Sequence, residues 1–185
     1  MSDYGTINDD SASVRLERVF PIPAEHLWAY LTTPEGLRRW IAEGQIGPGH
    51  ARLEFLDNGT VNEGPVVAWD PPNLVEFEWT GGPTQPAGSR VRFELVPEGE
   101  GTRLILTHSR TSPPAAPDFA AGWHYHLDTL SFLIEGVEPP AGRPPDLAAT
   151  ARALPSDGAA PGHPLISAAR RDDFPVTRGG RPRPA

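Results

Sequence analysis

The 185-residue chain contains no cysteine and no lysine, and its apolar residues form no long uninterrupted run. The absence of cysteine excludes disulfide bonds, thiolate zinc sites and cysteine nucleophiles. No apolar run approaches the ~20 residues that a membrane-spanning helix needs. The first residues also lack the basic and apolar regions of a secretory signal. We therefore expect a cytoplasmic protein without a membrane partner. All 16 basic residues are arginine, a usage typical of a GC-rich bacterial genome.

Charge divides the chain into two unequal parts. Residues 1–138 carry nine arginines and twenty acidic residues, a net charge of −11, whereas residues 139–185 carry seven arginines and four aspartates, a net charge of +3. A domain at −11 repels phosphate backbones, so we expect no nucleic-acid partner. The second part also holds 10 of the 23 prolines. We predict a flexible N-terminus over 1–13, a folded domain over 14–138 and a mostly disordered tail over 139–185.

The middle of the chain alternates between apolar and polar residues, which predicts β-strands. The predicted strands are 14–20, 51–56, 60–69, 74–79, 89–96 and 102–110. Two short helices are predicted after the first strand, one following Pro23 and one beginning near Thr33 and ending near Trp40. Apolar residues at spacings of three and four from Phe119 to Val137 predict a long amphipathic helix that ends at Gly136.

Several segments, taken in their order along the chain, resemble the activator of Hsp90 ATPase homologue C-terminal-like family. This family belongs to the START-like, pollen-allergen-like superfamily called SRPBCC. The resembling segments are RVFPIPAEHLW at 18–28, the DPP at 70–72, RVRFEL at 90–95, GTRL at 101–104 and the Gly122-Trp123 pair. The resemblance covers residues 14 to about 138. It implies an α+β helix-grip fold, in which a curved antiparallel sheet of six to seven strands wraps around the long C-terminal helix.

The resemblance also implies that a small hydrophobic molecule binds between the sheet and the long helix. The inward faces of the predicted strands and helix then give the lining of this ligand site. We predict the ligand-binding residues Phe55, Trp69, Phe77, Trp79, Phe93, Leu95, Leu106, His108, Trp123, His126, Leu127 and Leu130. Large aromatics with few polar groups suit an apolar ligand, although the same side chains could simply fill the core.

Two of these residues, His108 and His126, are the candidates for acid–base catalysis if the protein is an enzyme of the cyclase or aromatase kind. His108 could instead be a structural histidine bonded at the sheet end, to Arg110 or to solvent, and we favour this interpretation. His124 and His126 lie about 200° apart around the helix, so they should not chelate one metal ion. Arg38 and Arg39 could bind an anionic group at the cavity mouth, or form a solvated helix end.

Other signatures of catalysis are missing from the sequence. It contains no G-x-S-x-G elbow, no H-E-x-x-H zinc motif and no Walker loop. We expect no metal and no cofactor, and we favour ligand binding without catalysis. The alternatives are the histidine-dependent enzyme and a protein-interaction module. The latter would be chaperone-associated or would act through the tail. With only 13 residues before the first predicted strand, the separate chaperone-engaging domain of the eukaryotic co-chaperone is not expected.

Overall fold

The computed structural model describes residues 4–8, 13–80, 88–112 and 114–138, and these form eight strands and three helices. The strands are β1 (Tyr4–Asn8), β2 (Ser13–Phe20), β3 (Ala42–Gly47), β4 (His50–Phe55), β5 (Val61–Asp70), β6 (Leu74–Trp79), β7 (Ser89–Glu98) and β8 (Gly101–Ser109). The helices are α1 (Ala24–Thr32), α2 (Pro34–Leu37) and α3 (Ala116–Glu135). The predicted tail, 139–185, lies outside the described residues.

The strands form one antiparallel sheet in the order β1-β2-β8-β7-β6-β5-β4-β3. Strand β2 pairs with β8, so the beginning and the end of the chain's strand order meet beside the long helix. The predicted α+β helix-grip fold is confirmed. The sheet has two strands more than the six that the alternation located. One is β3, and the other is β1, which lies within the segment predicted to be a flexible N-terminus.

The two short helices pack tightly because of one cap and one glycine. The Thr33 hydroxyl accepts a hydrogen bond from the Gly36 backbone N–H at 3.1 Å, which caps the first turn of α2. A Cβ at Gly36 would lie 2.1 Å from the carbonyl oxygen of Ala29, so only glycine fits where α2 crosses α1. These contacts hold the two helices against each other, while α2 lies close to β3 and α1 lies close to β3, β7 and β8.

The long helix ends where the sequence predicted. Gly136 adopts a left-handed conformation with φ +68°, and its N–H bonds to the carbonyls of Leu133 and Phe132. This is the geometry for which glycine is favoured at a helix C-terminus. None of the helices formed by the described residues is sufficiently long and apolar to cross a membrane.

Strand β3 occupies one end of the sheet and is irregular. Gly44 has φ +136°, and a Cβ there would lie 1.9 Å from the carbonyl oxygen of Arg52 on the neighbouring strand. No other residue type can take this position without moving the backbone. Among the described strands β3 pairs with β4 alone, and Gly44 lies within that pairing.

The outer face of the central strands carries pairs of opposite charge. Arg92 lies 2.9 Å from Glu76 across β7 and β6, and Arg90 lies 3.5 Å from Glu78 on the same two strands. Arg103 on β8 lies 3.3 Å from Glu17 on β2. These side chains are partly exposed, so this face is the solvated side of the sheet.

Candidate functional site

The inner face of the sheet and the facing side of α3 hold the residues predicted to line a ligand site. Ten of the twelve predicted residues are buried: Phe55, Phe77, Trp79, Phe93, Leu95, Leu106, His108, Trp123, Leu127 and Leu130. The remaining two, Trp69 and His126, are half-buried. The alternation of β6, β7 and β8 thus brings most of the predicted residues together in one interior, whereas Trp69 lies apart from them. Their role in binding a ligand stays a prediction.

Aromatic rings connect α3 to the centre of the sheet. The α3 backbone runs closest to β2, with a further close approach to β1. Over the central strands the contact is made by the Trp123 side chain, whose ring centroid lies 5.4 Å from Trp79 and 6.0 Å from Phe93. The helix therefore contacts the sheet in two ways. Its backbone packs closely beside β2, whereas long aromatic side chains bridge a wider gap over the central strands.

The rings of the inner face also contact one another along the sheet. Phe77 lies 6.0 Å from Phe93, and Trp79 lies 5.3 Å from Phe55. Most of these pairs are tilted or edge-on, the arrangements that aromatic quadrupoles favour, and each contributes about 0.5–1.5 kcal/mol beyond area burial. A planar apolar molecule that replaces one such ring contact could form another of the same kind.

His108 is fully buried at the end of β8 and takes part in a chain of hydrogen bonds. The Trp123 indole N–H donates to His108 Nδ1 at 3.2 Å. Because Nδ1 accepts, the ring proton of a neutral imidazole sits on Nε2, which donates to the Ser89 hydroxyl at 3.2 Å. That hydroxyl then donates to the carbonyl of Trp79, also at 3.2 Å. Both ring nitrogens of His108 are thereby used within the protein interior.

Burial determines the charge of His108. Desolvation lowers the pKa of His108 to about 3, because the imidazolium would be removed from water. The Phe119 ring, 4.2 Å away, and the Trp79 ring, 5.3 Å away, supply much of this apolar environment. The side chain is therefore neutral at physiological pH, and it serves as a hydrogen-bonded link between the sheet and α3.

The two helix histidines point to different surroundings, as their spacing predicted. The centroid of the His126 ring lies 6.1 Å from that of Phe55 and 6.5 Å from that of Trp40. The His124 side chain is only 22% exposed, and its Nδ1 lies 4.0 Å from an Asp128 carboxylate oxygen. The rings of both His108 and His126 pack against Trp123, with centroid separations of 6.3 and 6.5 Å.

Trp69 lies apart from the rings around Trp123 and packs against the first short helix. Its ring centroid is 5.0 Å from Trp28 of α1 in an edge-on arrangement. The pairing of β5 with β6 shifts between Val66 and Ala68, and this irregularity sets where Trp69 falls relative to Val75. The strand alternation alone could not locate this shift.

An ion pair that the sequence analysis did not identify joins β2 to α3. Arg18 is only 4% exposed, and its Nη1 lies 2.7 Å from Asp128 Oδ1 and 3.3 Å from the Ser131 hydroxyl. Asp128 itself is about half exposed. The sequence did indicate that Arg18 points inward, because it follows Val14 and Leu16 on the same face of the strand. An arginine in such a position is, however, more often solvated.

Arg38 and Arg39 are exposed and lie just beyond α2. Arg39 donates to the Tyr30 hydroxyl at 3.2 Å, and its guanidinium lies 5.4 Å from the centre of that ring. Arg39 and Tyr30 border a shallow depression of about 150 Å³ between α1 and α2. Anion recognition by this pair of arginines stays a prediction. Throughout the described part of the chain, no three His, Asp or Glu side chains cluster as metal ligands would.

Comparison with known proteins agrees with this geometry. A family profile described as activator of Hsp90 ATPase homolog 1-like protein matches residues 21–135. The protein encoded by gene BPP1335 from Bordetella parapertussis is 28% identical, with a TM-score of 0.63 over 88% of this chain and 100% of that one. CalU16 from Micromonospora echinospora is 22% identical, with a TM-score of 0.61 over 82% of this chain and 89% of that one.

A further solved structure of the same fold is DynU16, described as a protein of the dynemicin biosynthetic locus. It is 23% identical, with a TM-score of 0.59 over 68% of this chain and 48% of that one. At these identities CalU16 and DynU16 show the fold alone. A comparison with curated proteins gave no match.

Proposed function

Because the chain belongs to the activator of Hsp90 ATPase homolog 1-like family, we propose that it binds a small hydrophobic ligand between the inner face of the sheet and α3, without catalysis. The observation that carries this proposal is the aromatic contact between α3 and the central strands. Trp123 reaches Trp79 and Phe93 by side chains, whereas the α3 backbone packs closest to β2. Ring contacts of this kind can be exchanged for contacts with a ligand.

The ion pair between Arg18 and Asp128 favours a particular way of accepting the ligand. It fixes α3 to β2 on the side where the two backbones are already close. Side-chain rearrangement on the opposite side, around Trp123 and Phe55, would then admit a ligand without detaching the helix. Each apolar Å² that the ligand buries contributes about 25 cal/mol, and this gain must exceed the free-energy cost of association, so a larger apolar ligand is favoured over a single ring.

Charge favours an uncharged ligand. His108 is neutral in the interior, since its pKa lies at about 3, and the segment 1–138 carries a net charge of −11. An anionic molecule would be repelled by the domain and would lose its hydration among the rings.

These contacts give no support to an acid–base reaction at His108. A general base needs a ring nitrogen with a lone pair directed at the substrate. In the observed arrangement Nδ1 accepts from Trp123 and Nε2 donates to Ser89. Binding is therefore the function that the geometry favours.

The experiment combines native mass spectrometry with dye titration of the full-length protein. The purified protein is examined for a small molecule that is released on denaturation. It is then titrated with N-phenyl-1-naphthylamine, an uncharged aromatic dye whose fluorescence rises in apolar surroundings. The test variant is Trp79→Leu, and the matched control is Glu78→Gln on the outer face of the same strand.

We expect stoichiometric dye binding by the wild type, an affinity at least tenfold weaker in Trp79→Leu and no change in Glu78→Gln. A co-purified apolar molecule would identify the ligand class directly. Wild-type protein that neither carries a molecule nor takes up the dye would reject the proposal. Equal affinity in both variants would place any binding elsewhere.

A further inference from the structure

Gly122 is an unexpected residue in the interior of α3. It is the seventh of the twenty residues of the helix, and a glycine in a helix interior destabilises the helix relative to alanine. Its φ does not fall in the left-handed region that would favour glycine. A glycine at this position therefore needs another explanation.

Close packing explains other glycines of this chain, but it does not explain Gly122. A Cβ at Gly36 would meet a carbonyl oxygen at 2.1 Å, and a Cβ at Gly101 would meet one at 2.3 Å. At Gly122, apart from its two chain neighbours and the adjoining helix backbone, no atom of the described residues lies within 4 Å of the position that a Cβ would take. The space beside Gly122 is thus open with respect to the described chain, although the residue itself is half-buried.

Aromatic side chains flank this space. Helical spacing places Phe119 one turn before Gly122, and Tyr125 and His126 one turn after it, on the same side of α3. Phe119 is held against His108 at 4.2 Å, and His126 is held against Phe55 at 6.1 Å. We call the open space beside Gly122, between Phe119 and the pair Tyr125 and His126, the Gly122 notch.

We propose that the Gly122 notch receives a planar, uncharged ring of the ligand, and that Gly122 is glycine to leave room for that ring. This inference rests on the proposed function and adds the position and the chemical class of the bound group. The flanking rings can stack on a planar group or contact its edge. A helical side chain leans towards the N-terminus, so any residue larger than glycine would occupy the space next to Phe119.

The surroundings of the notch argue against an anionic ring. Asp118, an exposed residue, precedes Gly122 by one turn of α3. Its carboxylate adds negative charge next to the notch in a domain that is already acidic. Neutral N-phenyl-1-naphthylamine should therefore bind more tightly than 1-anilinonaphthalene-8-sulfonate, which carries a sulfonate on a ring system of similar size.

The test compares two glycines of the full-length protein. Gly122→Ala and Gly122→Leu fill the notch, and Gly47→Leu is the matched control. Gly47 also has no described atom within 4 Å of a Cβ position and no left-handed φ, but it lies at the end of β3, away from α3. Dye affinity and melting temperature are measured for each protein.

For Gly122→Ala we expect a melting temperature about 2–4 °C higher, since the helix gains a better helix-forming residue. For Gly122→Leu we expect no loss of melting temperature but an affinity for the neutral dye at least fivefold weaker. Gly47→Leu should leave the affinity unchanged. Stability and binding that move in opposite directions would support the notch, because a glycine exposed only to solvent would affect stability alone.

The two proposals fail in different ways. If the wild type binds the dye and Gly122→Leu binds it equally well, the notch is wrong while the proposed function stands. A fivefold loss in Gly47→Leu as well would also overturn the notch. If the wild type neither carries a co-purified molecule nor takes up the dye, the proposed function fails and the notch fails with it.

Discussion

The two faces of the same sheet use opposite chemistry. On β6, Val75, Phe77 and Trp79 point inward and are buried, whereas Glu76 and Glu78 point outward and pair with arginines of β7. Since consecutive residues of a strand alternate between faces, two adjacent residues experience an aromatic interior and a solvated surface. The comparison indicates that the inner face contributes most of the stability of the domain, and it is the face on which we propose that a ligand binds.

The energies of the two faces differ because water competes only on one of them. Complete burial of a large apolar side chain contributes about 1.5–3 kcal/mol from transfer alone, and aromatic contacts add to it. An ion pair at the surface contributes about 0–1 kcal/mol, because both charges are already stabilised by water. The outer pairs therefore set the strand positions more than they set the free energy of unfolding.

The contrast between the two faces is tested most directly by substituting two neighbouring residues of β6, one on each face. Phe77→Ala should lower the free energy of unfolding by about 3–5 kcal/mol, because it removes a ring that contacts Phe93 and Trp79 and leaves a void. Glu78→Ala should lower it by less than about 1 kcal/mol. Urea unfolding followed by tryptophan fluorescence measures both. Similar losses in the two variants would mean that the faces are not energetically distinct.

The inner face also contains a polar residue, and its pH dependence gives the second prediction. Folded His108 has a pKa of about 3, below its ordinary value of 6.5. Below pH 6.5 the unfolded state therefore binds a proton that the folded state does not. The contribution of neutral His108 to the free energy of unfolding is therefore fully present above pH 6.5. It falls by about 1.4 kcal/mol per pH unit as the pH drops towards 3. We expect a loss of about 2 kcal/mol between pH 6.5 and pH 5.

The control for this effect is His108→Gln, measured by urea unfolding at the same pH values. The variant keeps a polar side chain but has no group that titrates in this range. Its stability should change less between pH 6.5 and pH 5 than that of the wild type, whatever its absolute stability. Parallel pH profiles would show that His108 is not held neutral in the folded protein.

The third prediction concerns Arg18, a charged side chain that lies on the otherwise mostly apolar inner face. Asp128→Asn should destabilise the protein by about 1–2 kcal/mol, because it weakens the pairing of a buried cation whose partner is half exposed. Arg18→Met should cost less than Asp128→Asn, since it removes the buried charge and leaves the aspartate in water. Thermal unfolding of both variants would check the order, and the reverse order would indicate that the ion pair itself is strongly stabilising.

Alternation made most of the fold predictable from sequence. β6, β7 and β8 have strict apolar and polar periodicity, and the inward orientation of Phe77, Phe93 and Leu106 follows from it. The long helix was located by its spacing of three and four residues, and its end was located by Gly136. In these elements each residue's local preference agrees with its environment in the fold.

The remaining features depend on contacts between distant parts of the chain. β3 was missed because its sequence, AEGQIG, contains two glycines and only a weak apolar alternation. The hydrogen bonds from Trp123 to His108 and from His108 to Ser89 join α3, β8 and β7, and no local pattern encodes which partners meet. Arg18 and Asp128 each resemble a solvated residue until β2 and α3 are brought together.

The distortion at Gly44 has a consequence for how copies of this protein behave at high concentration. A regular edge strand offers a row of backbone groups on which a strand of another molecule can form a shared sheet. Strand β3 lies at the end of the sheet, but its backbone departs from extended geometry at Gly44, and Glu43 beside it is exposed and charged. We therefore expect this end of the described sheet to add a strand of another molecule less readily than a regular edge strand would, because of the same glycine that lets β3 close against β4.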